Sequence, residues 1–398
     1  MKKIVFIFAM IGLLAAIPSC VNDDSDFAQI IADNDTVSIR NVQFNDADVV
    51  DSVETIPTNI ADKYYDDYIE NQSLNRVVNI HFTDNDATIS GDLTRCSVLR
   101  NGAHLTVRIG GKKVYLKVSG STSNGSIKIY GDYKFGIELN GANIHNPNGA
   151  AINSQNKKRM YIVLTEGSHN VLSDGAPYTD TEGEAQKGTI FSEGKIIVSG
   201  KGWMQVDANV RAGIASDDYV RLRPGVHTQI ISHGSHCIRA NDGVMIDGGV
   251  HNLETFADGA RGIRCEAFVG IRSGRTTIIT HGNSVIEAAD TTSAAAIKAD
   301  STLTVTGGDV RLKSTGEGGK GINVTGNFLQ KAGHVTVVTL GETGLSTPKG
   351  VKSDSQIIIE GGTFYSYSVN SYAIDGILTA KAGAKKHLTA KRYHIIEY

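Results

Sequence analysis

A repeat of about 25 residues begins near residue 150 and continues almost to the end of the chain. Each unit opens on a small residue followed by a branched apolar one, and these anchors are Ile152, Ile190, Ile214, Ile238, Ile263, Ile297, Ile322 and Val351. A period in this range, with frequent glycine and no helical pattern, predicts a solenoid. In such a fold each unit buries its apolar face only by stacking on its neighbours.

The apolar residues inside each unit keep a fixed register relative to the anchor, which we number zero. Position six is occupied by Ile196, Val220, Val244, Val269, Leu303, Phe328 and Ile357. Position eight is occupied by Val198, Leu222, Ile246, Ile271, Val305, Gln330 and Ile359. This period of two is typical of strands with one buried face. Because turn glycines and a third apolar strand follow, we predict an all-β chain that forms a parallel β-helix.

The N-terminus carries a different signal. Lys2 and Lys3 precede a short apolar run, so residues 1–19 are predicted to be a signal peptide. The tetrapeptide that ends at Cys20, Ile-Pro-Ser-Cys, resembles a bacterial lipobox, and the following Asn-Asp-Asp resembles the export signal of Bacteroidetes surface lipoproteins. These resemblances imply an outer-membrane lipoprotein that faces the cell surface. Its contact with the membrane would be the lipid on Cys20.

The rest of the chain divides by composition. Residues 21–70 contain thirteen acidic and two basic residues, a balance that is typical of a solvated segment. The predicted parts are an acidic tether at 20–74, a β-rich N-terminal cap with the first coils at 75–149, the repeated coils at 150–384 and a C-terminal cap at 385–398. Two longer units predict loops that project from the stack, at Gly175–Lys187 and Asn283–Ala294.

Charged residues recur on the predicted outer surface. Position one is basic in its C-terminal half, at Arg239, Arg264, Lys298 and Lys352. Position three is mostly acidic and includes Asp217, Glu266, Asp300 and Asp354. A second basic set lies two residues before the anchor, at His236, Arg261, Lys320 and Lys349. Residues 71–398 contain 35 basic and 29 acidic residues, so the predicted fold is mildly basic.

Two interpretations of these columns stay open at this point. Positions one and three lie about 6.6 Å apart along a strand, so their charges can neutralise each other on a solvated surface. Alternatively, the cations form a groove for successive carboxylates of an acidic polysaccharide. The candidate binding residues are Arg239, Arg261, Arg264, Lys298, Lys320 and Lys352.

Some of the same residues are candidates for metal binding and catalysis. Asp217, Asp242 and Asp300 lie near predicted turns, where carbonyl oxygens can complete a calcium shell. A uronate lyase would use an Arg or Lys base beside a cation that neutralises the substrate carboxylate, and Arg239, Arg264 and Lys298 near the acidic column could supply those parts. The sequence has no Ser/His/Asp signature, P-loop or Rossmann fingerprint, and we predict no nucleic-acid partner.

Two segments resemble a known family. Residues 137–144 (IELNGANI) and 161–175 (YIVLTEGSHNVLSDG) are similar to the core of a bacterial family of carbohydrate-binding domain-containing proteins. The resemblance implies a right-handed parallel β-helix, pectate-lyase-like in shape, that binds acidic polysaccharide such as polygalacturonate and holds calcium. The family often has an acidic Gly-Asp-Gly-Ile turn, which this chain replaces at 235–238, 260–263 and 319–322 by turns containing His, Arg or Lys. This departure disfavours calcium there and favours an anionic ligand.

The sequence as a whole therefore predicts a surface lipoprotein that binds acidic polysaccharide without catalysis. One alternative is a calcium-assisted uronate lyase. Another is a structural adhesin or stalk that binds through its inserted loops.

Overall fold

The computed structural model describes residues 51, 53–381 and 384–392, so the predicted signal peptide and Cys20 lie outside the described residues. Among the described residues, no helix is both long and apolar enough to cross a membrane. The strands, numbered in chain order, are β1 (Arg76–Thr83), β2 (Asp86–Gly91), β3 (Cys96–Asn101), β4 (Ala103–Ile109), β5 (Val114–Thr122), β6 (Gly125–Gly131), β7 (Phe135–Asn146), β8 (Ile152–Ser154), β9 (Met160–Leu164), β10 (His169–Asp174), β11 (Gly188–Ser192), β12 (Ile196–Gly200), β13 (Trp203–Ala208), β14 (Ala212–Ser216), β15 (Tyr219–Leu222), β16 (His227–Ser232), β17 (Ile238–Ala240), β18 (Gly243–Ile246), β19 (Val250–Thr255), β20 (Arg261–Cys265), β21 (Phe268–Ile271), β22 (Arg275–Thr280), β23 (Val285–Glu287), β24 (Asp290–Thr292), β25 (Ala295–Ala299), β26 (Leu303–Val305), β27 (Asp309–Ser314), β28 (Lys320–Val324), β29 (Phe328–Gln330), β30 (His334–Thr339), β31 (Lys349–Ile359), β32 (Thr363–Ala380) and β33 (Lys385–Arg392).

The strands stack as a parallel β-helix of about 11 coils. Each regular coil contributes one strand to each of three parallel ladders. The first ladder runs β4, β6, β8, β11, β14, β17, β20, β25, β28 and β31. The second runs β7, β9, β12, β15, β18, β21, β26, β29 and β31. The third runs β7, β10, β13, β16, β19, β22, β27, β30 and β32.

The predicted anchor column is confirmed. Each anchor from Ile152 to Val351 is the ladder partner of the next one, and all eight side chains are fully buried. The same column extends to earlier coils through Ile127 and Leu105. Stacking at about 4.8 Å pairs the backbone groups of each coil with its neighbours and joins the apolar side chains into one core. Gln330, the polar exception at position eight, donates hydrogen bonds to the carbonyls of Gly333 and Thr363, at 3.1 and 3.0 Å.

The first strands are less regular than the coils. Strands β1 and β2 pair antiparallel, as do β3 and β4, before the parallel ladders begin. At the other end, β33 adds a strand to β32. Residues 175–187 contain no strand, and the other insertion folds as a hairpin in which β23 and β24 pair antiparallel.

The acidic segment before β1 differs from the sequence expectation of a tether at 20–74. Residues 53–72 lie against the second ladder and include two 3₁₀ turns, Tyr65–Asp67 and Ile69–Asn71. Asp67 and Tyr68 are buried. The physical reason is charge complementarity, since the outer side of the second ladder presents arginines to the carboxylates of this segment.

Candidate functional site

The outer side of the first ladder carries the basic column predicted at position one. Arg239, Arg264 and Lys298 are ladder partners on three successive coils, and the column continues through Asn323 to Lys352. On the two coils before Arg239 the column is apolar, and there Phe191 and Ala215 pack against Ala185 of the 175–187 insertion. The coil before these carries Asn153 at this position. The insertion thus covers the first half of the column and leaves the basic half to the later coils.

Carboxylates neutralise most of this basic column. Arg239 pairs with Glu266 of the next coil at 3.5 Å, and Lys352 pairs with Asp354 at 2.7 Å. Asp300 accepts hydrogen bonds from both Arg264 and Lys298, at 2.6 and 2.9 Å. Burial opposes ionisation of Asp300, but these two bonds outweigh it and lower the pKa of this carboxyl group. Of the two interpretations, mutual neutralisation of the charges at positions one and three therefore describes the basic column.

Two cations without a carboxylate partner among the described residues, Arg261 and Lys320, lie in a cleft beside the column, which we call the basic cleft. Its volume is about 360 Å³, and Asp290 is the only acidic residue among its lining side chains. One side is the ladder row that contains Arg261, Lys320 and Lys349, and the other side holds Lys298 and Lys352. Residues 290–293 of the hairpin insertion and residues 346–347 complete the lining. The cleft thus combines two predicted basic sets with two loops that project from the coils.

Lys320 is the most deeply placed cation in the basic cleft, with 7% of its surface exposed. Its ammonium group donates hydrogen bonds to the hydroxyls of Ser293 and Ser346, and the two hydroxyls lie 2.7 Å apart. Burial and, after it, the positive charges of Lys352, Lys349 and Arg261 together lower the pKa of Lys320 to about 8. Its partners in the described part of the chain are neutral hydroxyls, so its charge is not matched by a carboxylate.

Arg261 is the second cation of the basic cleft without a carboxylate partner among the described residues. Its Nε atom is buried and makes no hydrogen bond there. Burial lowers the pKa of Arg261, and the nearby Arg264 adds to the effect. The backbone nitrogen of Arg261 donates to Nδ1 of His236 at 3.0 Å. Burial and the guanidinium groups around it lower the pKa of His236 to about 3, so this ring is neutral at pH 7.

The predicted binding residues therefore separate into two groups. Arg261, Lys298, Lys320 and Lys352 line the basic cleft together, whereas Arg239 and Arg264 lie on the neutralised column outside its lining. Lys349 also lines the cleft and pairs with Asp375, although it was absent from the predicted binding residues. The sequence signal that could have identified Lys349 as a cleft residue was its place in the basic set two residues before the anchor.

The predicted calcium ligands do not come together. Asp217 pairs with Lys187, and Asp300 is held by Arg264 and Lys298. The described residues contain no group of three or more His, Cys, Asp or Glu side chains that could hold a metal ion. Asp217 and Asp300 already neutralise cations, and these ion pairs compete with calcium for the two carboxylates. Calcium binding by Asp217, Asp242 and Asp300 stays a prediction that metal titration can check.

A larger cleft, of about 640 Å³, lies near the first coils. It is lined by His81, Phe82, Asp84, Asn143 and His145 together with backbone and hydroxyl groups, and no Lys or Arg of the described residues contributes to it. It lacks the fixed positive charge that an acidic ligand requires. Chemistry rather than size therefore makes the basic cleft the stronger candidate.

Comparisons with known proteins agree with a role in carbohydrate binding. A carbohydrate-binding domain-containing protein from Acetivibrio thermocellus is 29% identical over 111 residues, which are 27% of this chain and 39% of the relative. The chain thus matches well under two thirds of that relative. A solved polysaccharide lyase-like protein from C. thermocellum aligns over 80% of this chain and 96% of its own, at 15% identity and a TM-score of 0.36, too low to support a functional statement. The model of the carbohydrate-binding domain-containing protein family matches residues 101–384, more than two thirds of the 398 residues, so the chain belongs to that family.

Proposed function

We propose that this protein binds acidic polysaccharide, without catalysis, through the basic cleft. The observation that carries the proposal is the pair of cleft cations, Arg261 and Lys320, that lack carboxylate partners in the described part of the chain. A buried charge without a counter-charge costs free energy, and a fold keeps it where an anion completes the site. Membership of a carbohydrate-binding family supports a glycan as the source of that anion.

The spacing of the cleft cations suits a polymer. Arg261, Lys320 and Lys349 occupy one ladder row, with the small Ala295 between the first two. Arg261 and Lys320 are two coils apart, a separation of about 10 Å at about 4.8 Å per coil. Carboxylates spaced along one polyuronate chain can therefore meet different cations of this row. Guanidinium and ammonium groups both bind carboxylates by charge-assisted hydrogen bonds.

Affinity electrophoresis and calorimetry with polygalacturonate test the proposal, with a neutral glucan as the ligand control. The cleft variant is Arg261→Gln with Lys320→Met, and the matched control is Arg239→Gln on the neutralised column. We expect the cleft variant to bind polygalacturonate at least tenfold more weakly. The affinity of the control should change by less than about threefold, because Arg239 belongs to an exposed ion pair. Equal losses in both variants, or equal binding of the neutral glucan, would contradict the proposal.

A second candidate function is a uronate lyase, favoured by the low pKa of Lys320. An amine with a pKa of about 8 can take a proton near neutral pH, and Arg261 could neutralise the carboxylate next to the acidic carbon. Cleavage by elimination creates an unsaturated product that absorbs ultraviolet light. A rise in absorbance that disappears in Lys320→Met would favour this function, whereas a flat trace over several polyuronates, with and without calcium, would remove it for those substrates.

We further propose that the protein is held at the outer membrane by a lipid on Cys20 and faces the cell surface. The support is the sequence around Cys20, which resembles a lipobox. Metabolic labelling with a radioactive fatty acid should mark the wild-type chain and not Cys20→Ala. Surface proteolysis of intact cells should remove the wild-type protein, and full protection of the protein in intact cells would overturn the surface assignment.

A further inference from the structure

A second cationic surface lies on the outer side of the second ladder, beneath residues 53–72, which we call the strap. Arg223 binds Glu54 and Glu70 of the strap at 2.8 and 2.9 Å. Asp67 of the strap accepts from Arg159 and Arg221 at 2.8 and 3.0 Å. The cationic surface, together with its tyrosines, is called the arginine groove, and consists of Lys134, Arg159, Tyr161, Tyr219, Arg221, Arg223 and Arg272. The coil carboxylate Asp247 lies among them and pairs with Arg221 at 2.5 Å and with Arg272 at 3.2 Å.

The strap is bound by its side chains, as a ligand is, and not as an additional strand. No ladder pairing joins residues 53–72 to the coils, and the secondary structure of the strap consists of the two 3₁₀ turns. Of its apolar residues, Val53 and Ile60 are 96% and 81% exposed, whereas Ile56 and Ile69 are half-buried. Carboxylates and tyrosine rings make its ion pairs and ring contacts with the coils. Tyr68, for example, lies beneath the guanidinium groups of Arg221 and Arg223.

The arginine groove has the length and the chemistry of a binding surface for an extended acidic chain. Lys134 and Arg272 flank its two ends and belong to coils five steps apart, which is about 24 Å at about 4.8 Å per coil. Between them, the phenolic groups of Tyr161 and Tyr219 hydrogen-bond to the strap. The groove contains two kinds of side chain that recognise an acidic sugar. Arginine guanidinium groups bind its carboxylate, and tyrosines offer it a ring and a hydroxyl.

We propose that the arginine groove is a second binding site for acidic polysaccharide and that the strap occupies it as a competing ligand of the same chain. The carboxylates of the strap take the positions that uronate carboxylates take when polysaccharide enters. Since ion pairs make much of the attachment, a polyanion that offers carboxylates to the same arginines can displace the strap. This second site is separate from the basic cleft and does not depend on it.

The test loosens the strap while the arginine groove stays intact. Glu54→Gln with Glu70→Gln removes both carboxylates that bind Arg223, and a triple variant adds Asp67→Asn. All are made in the full chain that also carries Arg261→Gln and Lys320→Met, so that the basic cleft does not contribute. Protease cleavage within 53–72, located by mass spectrometry, reports release of the strap. Calorimetry with an oligogalacturonate of about ten sugars reports binding, and polyglutamate serves as the second ligand.

We expect loosening of the strap to raise oligogalacturonate affinity at least tenfold, and a further Arg223→Gln to reverse the gain. Oligogalacturonate should also speed cleavage of the wild-type strap. Unchanged affinity when the strap is cleaved would overturn the proposal, as would a strap that resists protease even in the triple variant. A preference for polyglutamate would assign the groove to acidic peptides and overturn it as well. Because the basic cleft is disabled throughout, these outcomes are independent of the proposed function of that cleft.

Discussion

The burial of Lys320 leads to a prediction about stability that is separate from ligand binding. Its pKa falls from 10.5 to about 8 in the folded protein. At about 1.4 kcal/mol per unit of pKa, this shift corresponds to about 3 kcal/mol that the charged lysine costs the folded state. Lys320→Met removes this cost and keeps a side chain of similar length. Because the hydrogen bonds to Ser293 and Ser346 are lost too, at about 1 kcal/mol each, we expect a net gain of about 1 to 2 kcal/mol at pH 7.

The pH dependence identifies the cause of this gain. A lysine whose pKa is lower in the folded state destabilises the fold fully below pH 8, because there it is charged in both states. The cost declines between pH 8 and about 10.5 and vanishes above, so the advantage of Lys320→Met should disappear over that range. Urea unfolding followed by circular dichroism from pH 7 to pH 10.5 measures it. As a control, Lys201→Met at an exposed position should change the free energy of unfolding by less than about 0.5 kcal/mol. If the free energies of unfolding of Lys320→Met and wild type differ by the same amount at every pH, the reasoning is refuted.

Three further predictions follow from the same structure. Asp300→Asn frees Arg264 and Lys298 from their shared carboxylate, so polygalacturonate affinity should rise by up to about fivefold, the equivalent of about 1 kcal/mol; calorimetry that finds weaker binding would count against this. Ile263→Ala opens a cavity in the fully buried anchor column and should cost about 2 to 5 kcal/mol in urea unfolding, and a cost below about 1 kcal/mol would be inconsistent with a packed stack. Calcium at millimolar concentration should leave the thermal midpoint of the protein unchanged, since Asp217 and Asp300 are already paired with cations; a rise that Asp300→Asn abolishes would restore the predicted calcium site.

The core of the fold was predictable from the sequence because it obeys a local rule. One apolar residue per coil must face inward at the same height, so the spacing from Ile152 to Val351 determines which residues become ladder partners. The strap was not predictable by that rule. Its partners are remote in sequence, since Asp67 and Arg221 are 154 residues apart, and its acidic composition is also typical of a solvated tether.

The candidate site was predictable in part. The residue types and the two basic sets were visible in the sequence, and Lys298, Lys320 and Lys352 do lie together. Which cations are neutralised was not visible, because Arg239 takes its carboxylate from the next coil, at Glu266. The walls of the basic cleft also depend on how the hairpin insertion folds. Charge balance on a solenoid is therefore a property of adjacent coils rather than of one repeat.

Proton uptake on binding tests whether an acidic glycan binds against Lys320. At pH 8.5 a lysine with a pKa of about 8 is mostly neutral, and a bound carboxylate restores its proton. Calorimetry with polygalacturonate in two buffers of different ionisation enthalpy measures the number of protons taken up. We expect uptake of about 0.7 proton per site for the wild type and none for Lys320→Met. Binding by the wild type with no proton uptake at pH 8.5 would contradict binding against Lys320.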